Sequence, residues 1–180
     1  IRDWSVTGVQ TCARPISDNS KVRLNANSSI EFKKNSWEEN RNLQFEGEGF
    51  FEVEKGSRFI VETSEGNVEV LGTKFNVISQ ENIFEVMCQE GKVKAYNLKG
   101  GSEILTHGMG VRMINDNINN LTFNGNIPSW INGESSFSDS PLSQVITALQ
   151  NQFGITIKSN KIDKAQLFTG SFTHSDLNIA

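Results

Sequence analysis

Polar and apolar residues alternate through residues 45–77, and this pattern predicts consecutive short β-strands. Over residues 45–53 the odd positions are Phe, Gly or Val, whereas glutamates occupy most of the even ones. Runs of β-branched residues follow at 59–63 and 68–71, after turns that contain Gly and Ser. We therefore predict at least three consecutive strands, the first with one packed face and one solvated face.

Short phrases recur within this region. Phe51-Glu52-Val53 is echoed by Phe75-Asn76-Val77, and Glu65-Gly66-Asn67-Val68 is echoed by Glu90-Gly91-Lys92-Val93. The spacing of about 25 residues suits stacked β-coils, but antiparallel meanders with regular turns produce the same spacing. The sequence thus predicts a mainly β domain and leaves two arrangements open, a two-sheet β-sandwich or a stacked, solenoid-like β-coil.

Further strands extend this β domain on both sides. The pattern predicts strands at 21–26, 30–32, 103–106, 111–114 and 121–123, and a hairpin of 82–88 with 92–97. The Asn- and Gly-rich segment that ends at Pro128 has the composition of a domain boundary. We assign residues 18–124 to the all-β domain and 125–129 to a linker.

Residues 130–180 have a different character and predict a small α+β domain. Leu142, Val145, Ile146, Leu149 and Phe153 form one helical stripe. We expect Ser140 as the N-cap, Pro141 as the first helical residue and Gly154 as the C-terminal left-handed residue. Strands are predicted at 155–157 and 167–173, followed by a second helix at 175–180. The expected order is β-α-β-β-α, truncated within the last helix.

Residues 1–17 share no pattern with the rest of the chain. They resemble a translated sequencing adapter, so we predict a non-native leader and exclude it from fold prediction. Trp4 and Cys12 then carry no functional weight.

Composition excludes several classes of function. The chain has 180 residues and a net charge of -4, which disfavours binding to nucleic acids. No apolar run approaches the roughly 20 residues that span a bilayer, and no segment resembles a signal peptide. Two cysteines cannot form a disulfide framework, and Cys88 alternates with Phe84 and Val86 as a buried thiol would.

Candidate chemical groups are few. Glu46, Glu48, Glu52 and Glu54 could bind a cation, but alternation alone produces such a solvated face. His107 and His174 lack companions at metal-ligand spacing, and no nucleophile, phosphate-loop or dinucleotide motif is present. We predict no enzyme activity, no catalytic residues, no metal and no cofactor.

Three ordered motifs carry a resemblance to a known family. They are Asp18-Asn19-Ser20 with Val22 and Leu24-Asn25-Ala26, then Gly47-Glu48-Gly49-Phe50-Phe51-Glu52-Val53, then Leu71-Gly72-Thr73-Lys74-Phe75-Asn76-Val77. With these motifs the chain resembles the FecR family of anti-sigma regulators, in the form common among Bacteroidetes. Asn19 stands where the family usually has Gly, and Gly49-Phe50 stands where it has Ala-Tyr.

The second domain extends the resemblance to residue 180. Trp130, Gly133, Phe137, Pro141-Leu142 and residues 168–172 resemble the usual C-terminal domain of the family. That domain is similar to the short N-terminal domain of secretins and TonB-dependent transducers.

The resemblance implies the periplasmic sensor part of a single-pass inner-membrane protein. In the family, this part reads the signalling domain of a TonB-dependent outer-membrane transducer, and a cytoplasmic segment holds an extracytoplasmic-function sigma factor. This chain would reach the sigma factor and the membrane only through segments that it lacks.

An open strand of the second domain could pair edge to edge with the transducer. We predict that this strand is the partner-binding site, formed by Leu167, Phe168, Thr169, Gly170, Ser171, Phe172 and Thr173. The alternative is a secreted β-rich protein that binds carbohydrate or builds a surface structure. A sugar-binding protein should expose aromatic platforms, but the native region offers one Tyr and, beyond the leader, only Trp37 and Trp130.

Overall fold

The computed structural model describes residues 4–8, 14–15, 18–37, 39–80, 82–114, 117–158 and 161–175, the first two segments by their backbone only. The chain divides into two compact units, Ile1–Ile127 and Pro128–Ala180. Each unit is described by itself.

The first unit is built from strands. These are β1 (Trp4–Gly8), β2 (Arg14–Pro15), β3 (Lys21–Leu24), β4 (Ser28–Phe32), β5 (Arg41–Glu52), β6 (Phe59–Glu62), β7 (Gly66–Val70), β8 (Lys74–Gln80), β9 (Ile83–Glu90), β10 (Lys92–Asn97), β11 (Ser102–Thr106), β12 (Met109–Ile114) and β13 (Asn117–Thr122). A 3-10 turn, Lys34–Ser36, precedes β5.

Strand β5 organises the sheet because it is long enough to pair with two separate sets of strands. These two sets form the two halves of the sheet. Its first half pairs with β4 and, in parallel, with β6. Its second half pairs with β3 and β8 in antiparallel fashion. The main path across the sheet runs β11-β10-β7-β6-β5-β8-β9-β12-β13.

The two halves of this sheet curl over one shared core. Val68, Ala95 and Leu105 from one half and Phe75, Val86 and Val111 from the other belong to the same buried cluster. At Gly66 of β7, an added Cβ would lie 2.7 Å from the ring of Phe84 on β9, so the halves approach closely. The prediction of a mainly β domain is confirmed.

The repeated phrases lie on strands that pair in antiparallel fashion. Phe51 of β5 pairs with the echoed Phe75 of β8. Val68 of β7 pairs with Ala95 of β10, two residues beyond the echoed Val93. Stacked coils would place repeats in parallel register, whereas the one parallel pair among the described strands is β5 with β6. The arrangement is therefore closer to the two-sheet alternative.

Two expectations about the first unit require correction. The segments predicted as a hairpin, now β9 and β10, do not pair. β9 pairs with β8 and β12, and β10 pairs with β7 and β11, because the chain crosses between the halves at Gly91. The leader was excluded from the fold, but the backbone of β1 pairs with β4 and that of β2 with β3. Its non-native origin remains a prediction.

The described residues of the second unit form an antiparallel strand pair and one α-helix. Its elements are a 3-10 turn (Ser129–Asn132), β14 (Glu134–Pro141), α1 (Leu142–Phe153) and β15 (Leu167–Thr173). The predicted helix is confirmed, and Gly154 ends it with φ +63°. Of the predicted stripe, Val145 and Ile146 are buried and the other three residues are half-buried. Phe153 at the end of α1 lies 6.0 Å from the ring of Phe172 on β15.

The N-terminal cap of α1 differs from the prediction. Pro141 is the N-cap and still belongs to β14, whereas the hydroxyl of Ser140 donates to the carbonyl of Ser138. The first helical amides are bound instead by backbone carbonyls, Leu142 N–H by Gln166 and Ser143 N–H by Lys164.

The strand predicted at 155–157 is wrong. The amide of Ile157 donates to Oε1 of Gln150, at 2.8 Å, so the chain folds back on its helix instead of joining a ladder. Most of the predicted second helix, 176–180, lies outside the described residues.

Candidate partner-binding site

The first sequence motif builds a buried arginine cluster. Arg41 is 6% exposed, and its Nε and Nη2 both lie 2.6 Å from one carboxylate oxygen of Asp18. The same guanidinium donates to the carbonyls of Ser57 and Glu54. Burial raises the pKa of Asp18, but hydrogen bonds from Ser20 and Arg41 outweigh it, so this pKa lies below its usual value. The cluster ties the start of β3 to β5 and to the loop after it.

The turn in this motif explains its departure from the family pattern. Asn19 has φ +66°, the left-handed region that glycine adopts most easily and Asn tolerates best among the other residues. The motif therefore has a structural role in this chain.

The second motif holds the acidic residues, and the structure separates them. Glu46 and Glu54 are exposed, and Glu52 lies 3.9 Å from Arg23. Glu48 instead accepts hydrogen bonds from the amides of Asn25, at 2.7 Å, and Asn76, at 3.1 Å. The four carboxylates do not form one site.

The environment of Glu48 alters its ionisation. Burial raises its pKa to about 7, the negative charge of Glu85 adds to this effect, and the two asparagine amides oppose it. Phe50, on the same side of β5, is only 2% exposed. The expectation of a wholly solvated face is therefore wrong, because side chains of the neighbouring strands close over this part of β5.

A buried ion pair lies on the same sheet face and was missed in the sequence. Arg112 Nε lies 2.6 Å from Oε2 of Glu85, and both side chains are less than a tenth exposed. The two residues are register partners on β12 and β9. A charged residue within each apolar strand was the available signal, but the pairing of those strands could not be deduced.

The third motif is mostly structural. Phe75 stacks on Phe51 with ring centroids 5.1 Å apart, Asn76 binds Glu48, and the hydroxyl of Thr73 donates to the carbonyl of Lys92. Leu71 differs because its side chain is 63% exposed. Its role is not explained by packing in the core.

The histidines and the described cysteine do not form a metal centre. Nδ1 of His107 lies 2.6 Å from the carbonyl of Gln89, and Nε2 of His174 lies 2.9 Å from the hydroxyl of Ser135. Burial lowers the pKa of His174. Cys88 is buried, as predicted, and burial raises the pKa of its thiol to about 11. The described residues contain no group of three or more potential ligands that could hold a metal ion.

Trp37 and Trp130 do not offer a sugar-stacking platform. Trp37 is 1% exposed and contacts Phe32 and Phe59 edge to face, and Trp130 is 3% exposed. Because both indole rings are buried, neither provides the exposed stacking surface that carbohydrate binding requires.

The predicted partner-binding strand is β15. It pairs with β14 alone, in a two-stranded sheet, so one side of its backbone has no strand neighbour among the described residues. Leu167 and Phe168 are 61% and 37% exposed, whereas Phe172 is 5% exposed. The strand therefore combines exposed apolar side chains with one residue that anchors it.

Aromatic contacts fix β15 on its unit. Phe137 of β14 lies 6.3 Å from Phe168 and 5.9 Å from Phe172, measured between ring centroids. The β14 ladder is irregular between Phe137 and Ser140, where Asp139 has φ +44° and its amide donates to the hydroxyl of Thr169. These contacts hold the strand in one position.

Comparison with known proteins agrees with this architecture. Residues 6–94 match the family model described as FecR protein, and this region contains all three motifs. The chain belongs to the FecR family through its first unit. No curated protein sequence is significantly similar to the chain.

Solved structures share the fold over nearly the whole chain. A crystal structure at 1.65 Å of a protein from Parabacteroides distasonis ATCC 8503, provisionally assigned as an anti-sigma factor, superposes with a TM-score of 0.86 at 23% identity. The match covers 99% of this chain and 87% of that one. A second structure with the same description, at 2.50 Å, has the same TM-score and identity and covers 98% and 86% of the two chains.

Proposed function

We propose that this chain is the sensor part of a transmembrane anti-sigma regulator. It relays a signal from a TonB-dependent outer-membrane transducer to an extracytoplasmic-function sigma factor. Membership of the FecR family carries the proposal, and the likeness to proteins assigned as anti-sigma factors supports it.

The proposed location is the periplasm, as part of a single-pass inner-membrane protein. No helix among the described residues is both long and apolar enough to cross a membrane. We propose that a membrane-spanning helix joins this sensor part to a cytoplasmic segment that holds the sigma factor.

The proposed role is recognition without catalysis. The buried charges of the first unit are paired in Asp18 with Arg41 and in Glu85 with Arg112, so each charge is matched by its partner. The carboxyl of Glu48, whose pKa is about 7, is bound by the amides of Asn25 and Asn76. A rigid β scaffold of this kind suits presentation of a binding surface.

The second unit resembles the short domain of secretins and transducers, and we propose that its strand β15 binds the transducer. An added strand would bind the backbone of β15 on the side away from β14 and cover Leu167 and Phe168. Backbone pairing supplies affinity, and contacts with these exposed side chains supply selectivity.

Calorimetry with the full chain tests this proposal. The ligand is the isolated periplasmic signalling domain of a TonB-dependent transducer encoded beside this protein. Saturable binding supports the proposal. If a demonstrably folded chain binds no neighbouring transducer domain, the sensor proposal is contradicted and only the fold stands.

Two proline variants locate the pairing edge. Gly170→Pro and Ser171→Pro each remove one N–H, and consecutive N–H groups on a strand point to opposite sides. The variant whose N–H points away from β14 should stay folded by circular dichroism and bind at least tenfold more weakly. Unchanged binding by every folded proline variant contradicts pairing through β15.

Side-chain variants provide an independent readout. Leu167→Ser and Phe168→Ser remove exposed apolar contacts, so we expect weaker transducer binding with little loss of stability. Ile162→Ser is the matched control because Ile162 is 42% exposed in the same unit but lies outside β15. Equal losses in all three variants would contradict a site on the strand.

A further inference from the structure

A groove of about 570 Å³ lies on the first unit. Its walls include Leu71 in the turn after β7 and Ile104 of β11, and two lysines of β10 lie between them. We call it the lysine groove, and its lining is Lys55, Gly56, Glu69, Val70, Leu71, Gly72, Thr73, Lys92, Lys94 and Ile104.

The lysine groove has an excess of positive charge. Lys55, Lys92 and Lys94 are exposed, and in the part of the chain that the structure describes they form no ion pair with a carboxylate. The single acidic lining residue, Glu69, lies 3.8 Å from Arg58. This local excess contrasts with the net charge of -4 for the whole chain, so it favours a negatively charged ligand.

Two exposed apolar side chains flank these charges. Leu71 is 63% exposed and Ile104 is 59% exposed. A close backbone contact holds the turn that carries Leu71. At Gly72, which follows Leu71 and has φ +156°, an added Cβ would lie only 2.7 Å from the Cα of Lys55. The turn thus holds Leu71 at the mouth of the lysine groove.

The spacing of the lysines fits an extended peptide. Lys92 and Lys94 lie two residues apart on one strand, a separation of about 6.8 Å that also relates alternate side chains of an extended peptide. Lys94 is the register partner of both Glu69 and Ile104, so an apolar side chain two positions from a carboxylate, on the same face of the peptide, would lie near Ile104.

We propose that the lysine groove binds an acidic, extended segment of a partner protein. Carboxylates at two alternate positions pair with Lys92 and Lys94, and an apolar side chain two positions from a carboxylate, on the same face of the peptide, lies against Leu71 and Ile104. Exposed ion pairs are each worth about 1 kcal/mol or less, so we expect weak binding that salt reduces further. This interaction is independent of the one proposed for β15.

Fluorescence anisotropy with the full chain tests the proposal. The probe is a labelled nonapeptide with Glu at its third and fifth positions, Leu at its first and seventh positions and Ser elsewhere, so that Glu and Leu share one face. The comparison peptide carries Gln in place of Glu. We expect saturable binding of the acidic probe with a Kd on the order of hundreds of micromolar, and at least tenfold weaker binding of the Gln peptide. Absence of saturation at millimolar acidic peptide, or equal binding of both peptides, overturns the proposal.

Matched variants separate the groove from the overall charge. The double variant Lys92→Glu with Lys94→Glu should bind the probe at least tenfold more weakly. Lys21→Glu with Lys33→Glu changes the net charge equally at exposed sites outside the groove and should bind as the unaltered chain does. If the two double variants lose the same affinity, the net charge of the chain explains the binding and the proposal is overturned.

The apolar contact has its own control. Leu71→Ser and Ile104→Ser should each lower the affinity for the probe several-fold. Leu98→Ser should leave this affinity unchanged, because Leu98 is 66% exposed but lies outside the groove. Citrate and vesicles with anionic lipid are offered as competitors. Their binding at Lys92 and Lys94 with affinity equal to that of the peptide would contradict a peptide-specific groove.

Discussion

Arg41 and Asp18 form a charged pair that lies largely out of solvent, with two guanidinium nitrogens 2.6 Å from one carboxylate oxygen. The pair joins the first sequence motif to the start of the longest strand. Arg41 is held in the ladder of β5 with β6, where it is the register partner of Phe59, whereas Asp18 lies in the turn before β3. The pair therefore holds this turn against β5.

We expect Asp18→Asn to destabilise the protein by about 3 kcal/mol, since it leaves the buried Arg41 charge without its partner. Urea unfolding measures this change. Arg58→Gln is the control: Arg58 is 63% exposed in its pair with Glu69, so its loss should cost less than about 1 kcal/mol. Equal losses of unfolding free energy in the two variants would contradict a larger contribution from the buried pair than from the exposed one.

The stability of the protein should depend on pH through Glu48. Its pKa is about 7 in the folded protein and 4.5 ordinarily, so the folded state keeps a proton that the unfolded state releases. Its contribution is fully present below pH 4.5 and is lost as the pH rises through 7, a change of about 3 kcal/mol at most.

Unfolding of Glu48→Gln tests this expectation. The variant should lose most of the decline in stability between pH 5 and pH 8, because it carries no ionisable proton at this position. Glu46→Gln, on the exposed side of the same strand, should keep the decline. Parallel pH profiles for the Glu48 variant and the unaltered protein would contradict the assignment.

Gly47 is required for two separate reasons. Its φ is +101°, and an added Cβ would lie 2.6 Å from the Cβ of Ser28. We expect Gly47→Ala to cost more than about 2 kcal/mol in urea unfolding. Gly100→Ala isolates the backbone effect, because Gly100 has φ +91° with no atom within 4 Å of an added Cβ. Its cost should be about 1 kcal/mol, and an equal cost at both sites would exclude the steric contribution.

Several features of the fold could be predicted from local pattern. The helical stripe around Val145 and Ile146, the left-handed Gly154 and the strand at 167–173 follow from side-chain periodicity and backbone conformation. These signals lie within a few residues of the element that they define, so a single sequence contains them.

Long-range pairing could not be predicted in the same way. The phrases that contain Phe51 and Phe75 suggested stacked coils, yet these residues face each other across an antiparallel ladder. Glu85 and Arg112 are 27 residues apart in sequence, and their ion pair depends on the ladder between β9 and β12. Only one residue separates the end of β9 from the start of β10, so the sequence suggested a hairpin. The chain instead crosses to the other half of the sheet at this residue.

The candidate site was only partly accessible from the sequence. Residues 167–173 could be proposed as an open strand because the domain pattern offered few neighbours for it. The lysine groove was not anticipated, since Leu71, Lys94 and Ile104 come together only when β7, β10 and β11 pair.

Hydrogen–deuterium exchange of the full chain, with and without the transducer signalling domain, tests the central claim most directly. We expect bound transducer to slow exchange of backbone amides in 167–173, because the added strand would accept hydrogen bonds from the open side of β15. Exchange in β13, another strand at a sheet edge, serves as the internal reference and should not change. Binding that protects other segments and leaves 167–173 unchanged would contradict recognition through β15.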